Sequence, residues 1–396
     1  MEKPVTIAPP AEMEFKAGDV TIIASGHFIH DLFTAFFAPL LPELIKILQI
    51  SLFQAGTLSA IMQLPSLLNP FLGYLDDRRN LRWVMILAPG ISATLMSLIG
   101  LAPNYASLVL LLLVAGVSIS AFHSTAPARL ARLSGNNIGQ GMSFFMGGGE
   151  LGRSVAPLVA VWGLSTFTIS GLFPLSLAGW MISALLFVRF GREKSNQPNR
   201  RVNGLIPSRA WRFYIPATLI VVLRGLMISG ISLYLPTLLE GEGASLWAAG
   251  SALALYQFAG TAGALLGGTL SDRFGRHRLL AFSMGAASLL FLAFLASDGW
   301  LTIPLLLCIG LLNLTFQPIM LALVQDLFPE HRSMANGIYM TLSFLAFSLA
   351  ALVVGALGDG YGLRSAFFWC GTLSLLAVPL LLLLPRHKYL VSPLKA

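Results

Sequence analysis

Stretches of roughly twenty apolar residues recur along this whole chain, parted by short polar loops, and nothing else in it constrains the fold as strongly. "LVLLLLVAGVSIS" (108–120) and "LSLLAVPLLLLL" (373–384) are two of them. At ~1.5 Å rise per residue, such a run crosses the ~30 Å hydrocarbon core of a bilayer as one helix. Only 11% of the 396 residues are charged, against ~25% in an ordinary soluble domain, so most of the surface is not built for water. The expected fold class is therefore an all-α membrane protein.

Twelve transmembrane helices are expected, at about 20–45, 52–75, 83–102, 105–128, 139–163, 167–190, 211–239, 246–270, 278–297, 300–325, 333–357 and 363–385. The first segment lacks a basic leader and a small-residue cleavage site, so the first apolar run is expected to remain as a helix. The net charge of +8 does not form a nucleic-acid-binding stripe. Of the 25 lysines and arginines, all but Lys46, Arg364, Arg153 and Arg224 fall in the tails and in the loops of one side. By the positive-inside rule, that side and both termini are expected to be cytoplasmic. Cys308 and Cys370 sit in apolar runs and read as packed thiols rather than a disulfide.

The expected organisation is a tail (1–19), a six-helix bundle (20–190), a basic, proline-containing linker (191–210), a second six-helix bundle (211–385) and a tail (386–396). The halves repeat. "GYLDDRRNLR" (73–82) aligns with "GTLSDRFGRHR" (268–278) at an offset of about 195, and Gly141 pairs with Gly337 at about 196. Parallel six-span repeats place a substrate site near the midplane, between the halves.

The second of those loops resembles the G-x-L-x-D-R-x-G-R motif of the major facilitator superfamily. Gly268, Asp272, Arg273, Gly275 and Arg276 match it, and Asp77 and Arg78 remain in the degraded first copy, where Asn80 replaces a glycine. The resemblance implies a gate motif at the cytoplasmic helix ends. A narrower resemblance, to the fosmidomycin-resistance-like group, rests on "GHFIHDLFTAFFAPLLPELIKIL" (26–48) and "AFHSTAPARLARLSGNNIGQGMSFFMGGGELGRSVAPL" (121–158). It implies proton-driven efflux of a small toxic solute across a bacterial inner membrane by a monomer without cofactor or metal. Ser124, Glu150 and Arg153 depart from that group's pattern. Gly152, Ala156 and Pro157 resemble the start of the superfamily's antiporter motif, but Ala160 and Val161 replace its trailing glycines.

Ionisable residues at membrane depth cost several kcal/mol unless paired or hydrated, and usually mark a pathway. From helix rise, Asp31, Glu150, Arg153 and Arg224 all fall roughly 16–21 Å from the inner helix ends, near the middle of the core. Glu150 and Arg153 are i,i+3 neighbours and read either as a structural ion pair or as part of a site. Asp31, Glu150 and His27 are the candidate proton carriers, and His27 shares a helix face with Asp31. His30 points away from that face. A metal bound by His27, Asp31 and His123 is conceivable, but a histidine packed on a carbonyl is the commoner outcome.

Substrate contacts are expected from Arg153, Arg224, His30, His123, Tyr256, Gln257, Asn313 and Gln317, with His123 nearer the cytoplasmic gate than the midplane. Phe36, Tyr234 and Phe316 are further cavity-lining candidates. Two basic residues at the midplane suggest an anionic solute, which points to proton symport, whereas the resemblance implies antiport. Glycines 147–149 read as a helix-packing surface, since a phosphate loop would need a strand and a lysine. No catalytic triad or zinc-hydrolase spacing appears, which argues against an enzyme.

Overall fold

The computed structural model describes residues 15–69, 71–72, 75, 81–135, 137–192, 210–328 and 332–385. The expected gate residues Asp77 and Arg78, the linker core 193–209 and the tail 386–396 lie outside the described residues. Among the described residues the fold is all helical, without strands.

In chain order the helices are α1 (Ala17–Thr34), α2 (Phe37–Leu48), α3 (Leu52–Gln63), α4 (Arg82–Ser97), α5 (Tyr105–Leu133), α6 (Ile138–Phe167) and α7 (Ser176–Phe190) in the first half. The second half holds α8 (Trp211–Ser229), α9 (Leu235–Gly241), α10 (Leu246–Phe274), α11 (Arg276–Leu295), α12 (Thr302–Leu314), α13 (Phe316–Leu327), α14 (Arg332–Tyr361) and α15 (Leu363–Leu376). The repeat survives as geometry. Trp211, Leu246, Arg276 and Arg332 each begin a helix 194 residues after Ala17, Leu52, Arg82 and Ile138 begin theirs.

Several expected spans are interrupted, and proline accounts for most breaks. Pro39 has no N–H to offer Ala35, and its ring crowds that carbonyl, so the first span splits at Ala35–Phe36 into α1 and α2. Pro65 turns the end of α3 into a 3-10 turn (Leu64–Leu68). A π-helical turn (Gly230–Tyr234) separates α8 from α9, which carries Pro236 in its first turn. The expected span 300–325 breaks at Thr315, so Asn313 and Gln317 sit on different helices.

Among the described residues, eight helical segments are long and apolar enough to cross a membrane: 82–101, 105–133, 169–190, 211–241, 276–295, 299–327, 334–361 and 363–383. The segments 17–48, 52–68, 138–167 and 246–274 are helical but broken, short or more polar. α3, α6 and α10 of this group pack between the halves, α6 on α10 and α3 on α14. Lining that seam relaxes the demand for an apolar surface all round.

The hydrophobic cores show which end of the seam is shut. One buried cluster draws on both halves, joining Leu40, Leu41, Leu44 and Leu58 with Ile231, Leu235, Tyr256 and Val354. At the other end the halves keep separate cores, one around Ile23, Phe122 and Phe145, the other around Phe213, Met320 and Tyr339. The shut end is also latched: Tyr234 donates to the carbonyls of Leu52 (2.9 Å) and Ala351 (3.0 Å), and Lys46 pairs with Glu240 (2.5 Å). The two thiols are free; Cys370 is packed as expected, but Cys308 is exposed on the flank of the bundle.

Candidate functional site

The glycines of α6 build the site by letting α1 in. A Cβ on Gly148 would lie 2.5 Å from the carbonyl oxygen of Ala24, and one on Gly152 would strike the carbonyl of Phe28. A Cβ on Gly149 would strike the imidazole of His27, so this glycine makes room for the ring itself. Gly147 is the exception to the expected packing surface: it faces open space.

With α1 and α6 so close, a polar cluster forms around Asp31, which is 1% exposed. Its Oδ1 lies 3.0 Å from His30 Nδ1 and 3.4 Å from His123 Nε2. Its Oδ2 lies 3.3 Å from His27 Nε2 and 3.4 Å from Arg153 Nη1. Arg153 also pairs with Glu150 one turn away on α6. The rings are held from behind: His27 Nδ1 meets the carbonyl of Phe145 at 2.7 Å and His123 Nδ1 that of Ile119 at 2.9 Å. His27 stacks on Phe145 (3.9 Å between centroids) and His30 on Phe122 (4.3 Å). The Arg153 and His123 side chains, 38% and 32% exposed, give the otherwise buried cluster its opening.

Two expectations need correction. His30 does not point away but turns back onto the neighbouring Asp31 carboxylate, because side-chain rotation brings its Nδ1 within reach of an acceptor on the adjacent residue. His123 is not set apart toward a gate. The packing of α5 on α1 brings it beside His27, Nε2 to Nε2 at 3.2 Å. Helix rise gives depth along one helix but not the offset between two. His27, Asp31 and His123 converge closely enough to hold a small cation.

The second half carries its own polar centre at the same register. Arg224 stands 194 residues after His30, and Gln317 stands 194 after His123. Arg224 is fully buried. Its Nη2 donates to both the backbone and side-chain oxygens of Asn313 at 2.6 Å, and its guanidinium lies 4.6 Å over the Phe316 ring. Its Nε and Nη1 are buried and make no hydrogen bond. No ion pair to Arg224 occurs among the described residues. Asn313 donates in turn to the Tyr256 hydroxyl at 2.7 Å.

Gln317 receives the Tyr339 hydroxyl at 3.3 Å, and Gln257 is half-buried one residue after Tyr256. Phe36 and Tyr234, expected in a cavity, are packed in the core at the shut end instead. Ser154 and Thr261 join α6 to α10 across the seam, hydroxyl to hydroxyl at 3.0 Å.

The expected gate motif forms a compact network within the second half. Arg276 pairs with Asp272 (2.7 Å) and Asp326 (3.1 Å), bonds to Ser271, and reaches the Gly268 carbonyl at 3.4 Å. Gly275 turns the chain at φ 91°, a conformation that favours glycine, and Arg273 sits over the Phe274 ring at 5.7 Å. The signals missed in the sequence were Asp326, the acid that Arg276 finds on α13, and Phe145, whose carbonyl aims His27.

A family model described as Major Facilitator Superfamily matches residues 23–312 and 217–395. The chain is 26% identical over 405 aligned positions to a "Fosmidomycin resistance protein" of Escherichia coli (strain K12), covering 98% of this chain and 99% of that one. It is 24% identical to an "Uncharacterized MFS-type transporter YfnC" of Bacillus subtilis (strain 168), over 93% of each chain. Among solved structures, a point mutant of the nucleoside transporter NupG superposes with a TM-score of 0.75 at 16% identity, over 93% of this chain and 100% of that one. The D-xylose–proton symporter gives 0.75 at 15% identity, over 95% and 99%. These two likenesses establish the fold alone.

Proposed function

The chain belongs to the major facilitator superfamily, a family of transporters and not of enzymes, and on that premise we propose that it is a proton-coupled carrier that exports a small toxic or drug-like solute by antiport. One observation carries this reading. Two carboxylates, an arginine and three histidines from α1, α5 and α6 converge beside α6, the helix that packs on α10 of the other half, and the part-exposed side chains of Arg153 and His123 leave the cluster open. A buried carboxylate held by an arginine and imidazoles is a site where a proton and a solute compete for the same charge.

The rest of the topology belongs to the same proposal: twelve spans, cytoplasmic termini, a bacterial inner membrane and a monomer. The concentration of arginines and lysines on one side supports that orientation, which makes the present conformation open to the cytoplasm. The likeness to a fosmidomycin resistance protein supports export of a toxic solute.

Purified protein in liposomes with an imposed proton gradient tests this, with radiolabelled fosmidomycin as the probe. The expected result is gradient-driven flux that Asp31→Asn and Arg224→Ala each abolish. Flux indifferent to the proton gradient overturns the coupling. Gradient-driven flux that survives both substitutions overturns the site.

A second reading, proton symport of a small organic anion such as a carboxylate or phosphonate, is favoured by Arg224. This buried guanidinium lacks a carboxylate partner among the described residues and keeps two N–H groups unbonded. Inward flux of an anion with an inward proton gradient in the same liposomes supports it; outward exchange excludes it.

A further inference from the structure

We infer that the flank of the second half carries a docking groove for one anionic phospholipid at the start of α8, where Arg212 holds the phosphate and apolar walls hold an acyl chain. The inference does not depend on what the protein transports.

The groove forms because the last span ends in a 3-10 segment (Val378–Leu383) laid against α8. Such a segment is tighter than an α-helix and repeats every three residues. Leu381 and Leu384 therefore both turn into the core of the second half, beside Phe213. Leu382 and Leu383 both turn out, Leu382 to 80% exposure. On α8, Trp211, Ile215 and Leu219 stand one turn apart on a single exposed face. Between these two walls lies a groove of about 560 Å³, with Arg212 lining the end at the helix start.

The two ends of the groove differ in chemistry. Arg212 is exposed, and no ion pair to it occurs among the described residues; its guanidinium lies 5.6 Å over the Trp211 ring. The acids described near this end are already taken, Asp272 and Asp326 by Arg276 and Asp19 by Arg189. A tryptophan beside an arginine at the start of a span belongs at the headgroup level of a bilayer, where the ring meets hydrocarbon and the charge meets phosphate. Farther along α8 both walls are hydrocarbon. A phospholipid has the same two-part chemistry: a phosphate that accepts guanidinium N–H groups, then an acyl chain.

Charge selects an anionic lipid over a zwitterionic one. The linker 191–210 leads into Trp211 and the tail 386–396 follows Pro385; together they hold eight lysines and arginines against one acid, Glu193. The ammonium of phosphatidylethanolamine is repelled by those charges, and the uncharged glycerol of phosphatidylglycerol is not. A second copy of the chain docked through this face would bring a second set of the same charges against the first, which argues for a lipid and against a dimer here.

Native mass spectrometry of the full chain in detergent, with phosphatidylglycerol or phosphatidylethanolamine added stepwise, tests the inference. One phosphatidylglycerol should be retained per chain in preference to phosphatidylethanolamine. Arg212→Gln should cut that preference about 5-fold, the weight of one interfacial arginine. Arg132→Gln, which removes another exposed arginine at the same end of the bundle, should leave it unchanged. Phosphatidylglycerol with a photoreactive acyl chain should label the peptides around Leu219 and Leu383. Equal retention of the two lipids overturns the inference. So does an equal loss in Arg132→Gln and Arg212→Gln, since the attraction is then diffuse surface charge. Displacement of the lipid by an equal concentration of glycerol phosphate, label placed elsewhere, or a lipid-free dimer joined through this face also overturns it.

Discussion

The carboxylate of Asp359, at the end of α14, accepts hydrogen bonds from the backbone N–H groups of Leu52 (2.8 Å) and Phe53 (2.9 Å), capping α3 from the opposite half of the protein. Ser51 and Gln54 already form a capping box at this helix start, so α3 does not need Asp359 in order to fold. What the cap adds is a charged bond between halves that exists only while this end is shut.

Asp359→Asn is expected to loosen the shut end without unfolding α3. Losing a charge-assisted cap of roughly 1–2 kcal/mol shifts the equilibrium about 5- to 30-fold toward the state open at that end. Spin labels at Gln49 and Gly241 report the change as a longer distance population. An unchanged distribution would show that Asp359 is not a latch.

Lys46 and Glu240 bridge the same two halves through a bond of 2.5 Å. The hydrogen bond to Glu240 holds the Lys46 ammonium above its ordinary range, against slight desolvation. A base raised in this way stabilises the shut end at every pH below the ordinary lysine value, and the benefit fades as pH climbs through the raised value. The lysine is 57% exposed, so the pair contributes only roughly 0–1 kcal/mol. Glu240→Gln should lower Tm by about 2 °C or less at pH 7, and the gap from wild type should close as pH climbs through the raised lysine value. A gap that widens with pH contradicts the assignment.

Gly149→Ala should push His27 off the Phe145 carbonyl, because its new methyl occupies the ring's place. Overpacking of this kind costs typically about 1–3 kcal/mol, and proton-driven flux should fall with it. Gly147→Ala, two positions away in open space, should be silent in both assays. Equal behaviour of the two variants would show that room for the ring does not matter.

Arg224→Met should separate stability from transport. A buried charge without a carboxylate partner is costly, and an apolar replacement of similar length is often neutral or stabilising. Tm is expected to stay level or rise while saturable flux drops at least about 10-fold. A large fall in Tm would mean that Arg224 is structural, held for its bonds to Asn313.

The sequence by itself determined the solvent and the scaffold. Apolar runs of bilayer length force helices, because backbone groups in hydrocarbon must be bonded within their own segment. The motif offset near 195 foretold the 194-residue spacing of the helix starts. Constant rise per residue along one helix is what puts Asp31, Glu150, Arg153 and Arg224 at similar expected depths. Which groups touch was not legible. Periodicity carries no record of how far α5 slides or tilts against α1, so His123 looked remote from Asp31 and lies beside it. Nor does it show that Arg224 meets Asn313 rather than an acid, or that Asp359 reaches across to Leu52. Those contacts depend on the packing of helices far apart in sequence, where glycines such as Gly148 and Gly149 let two backbones approach and so decide which charges share one site.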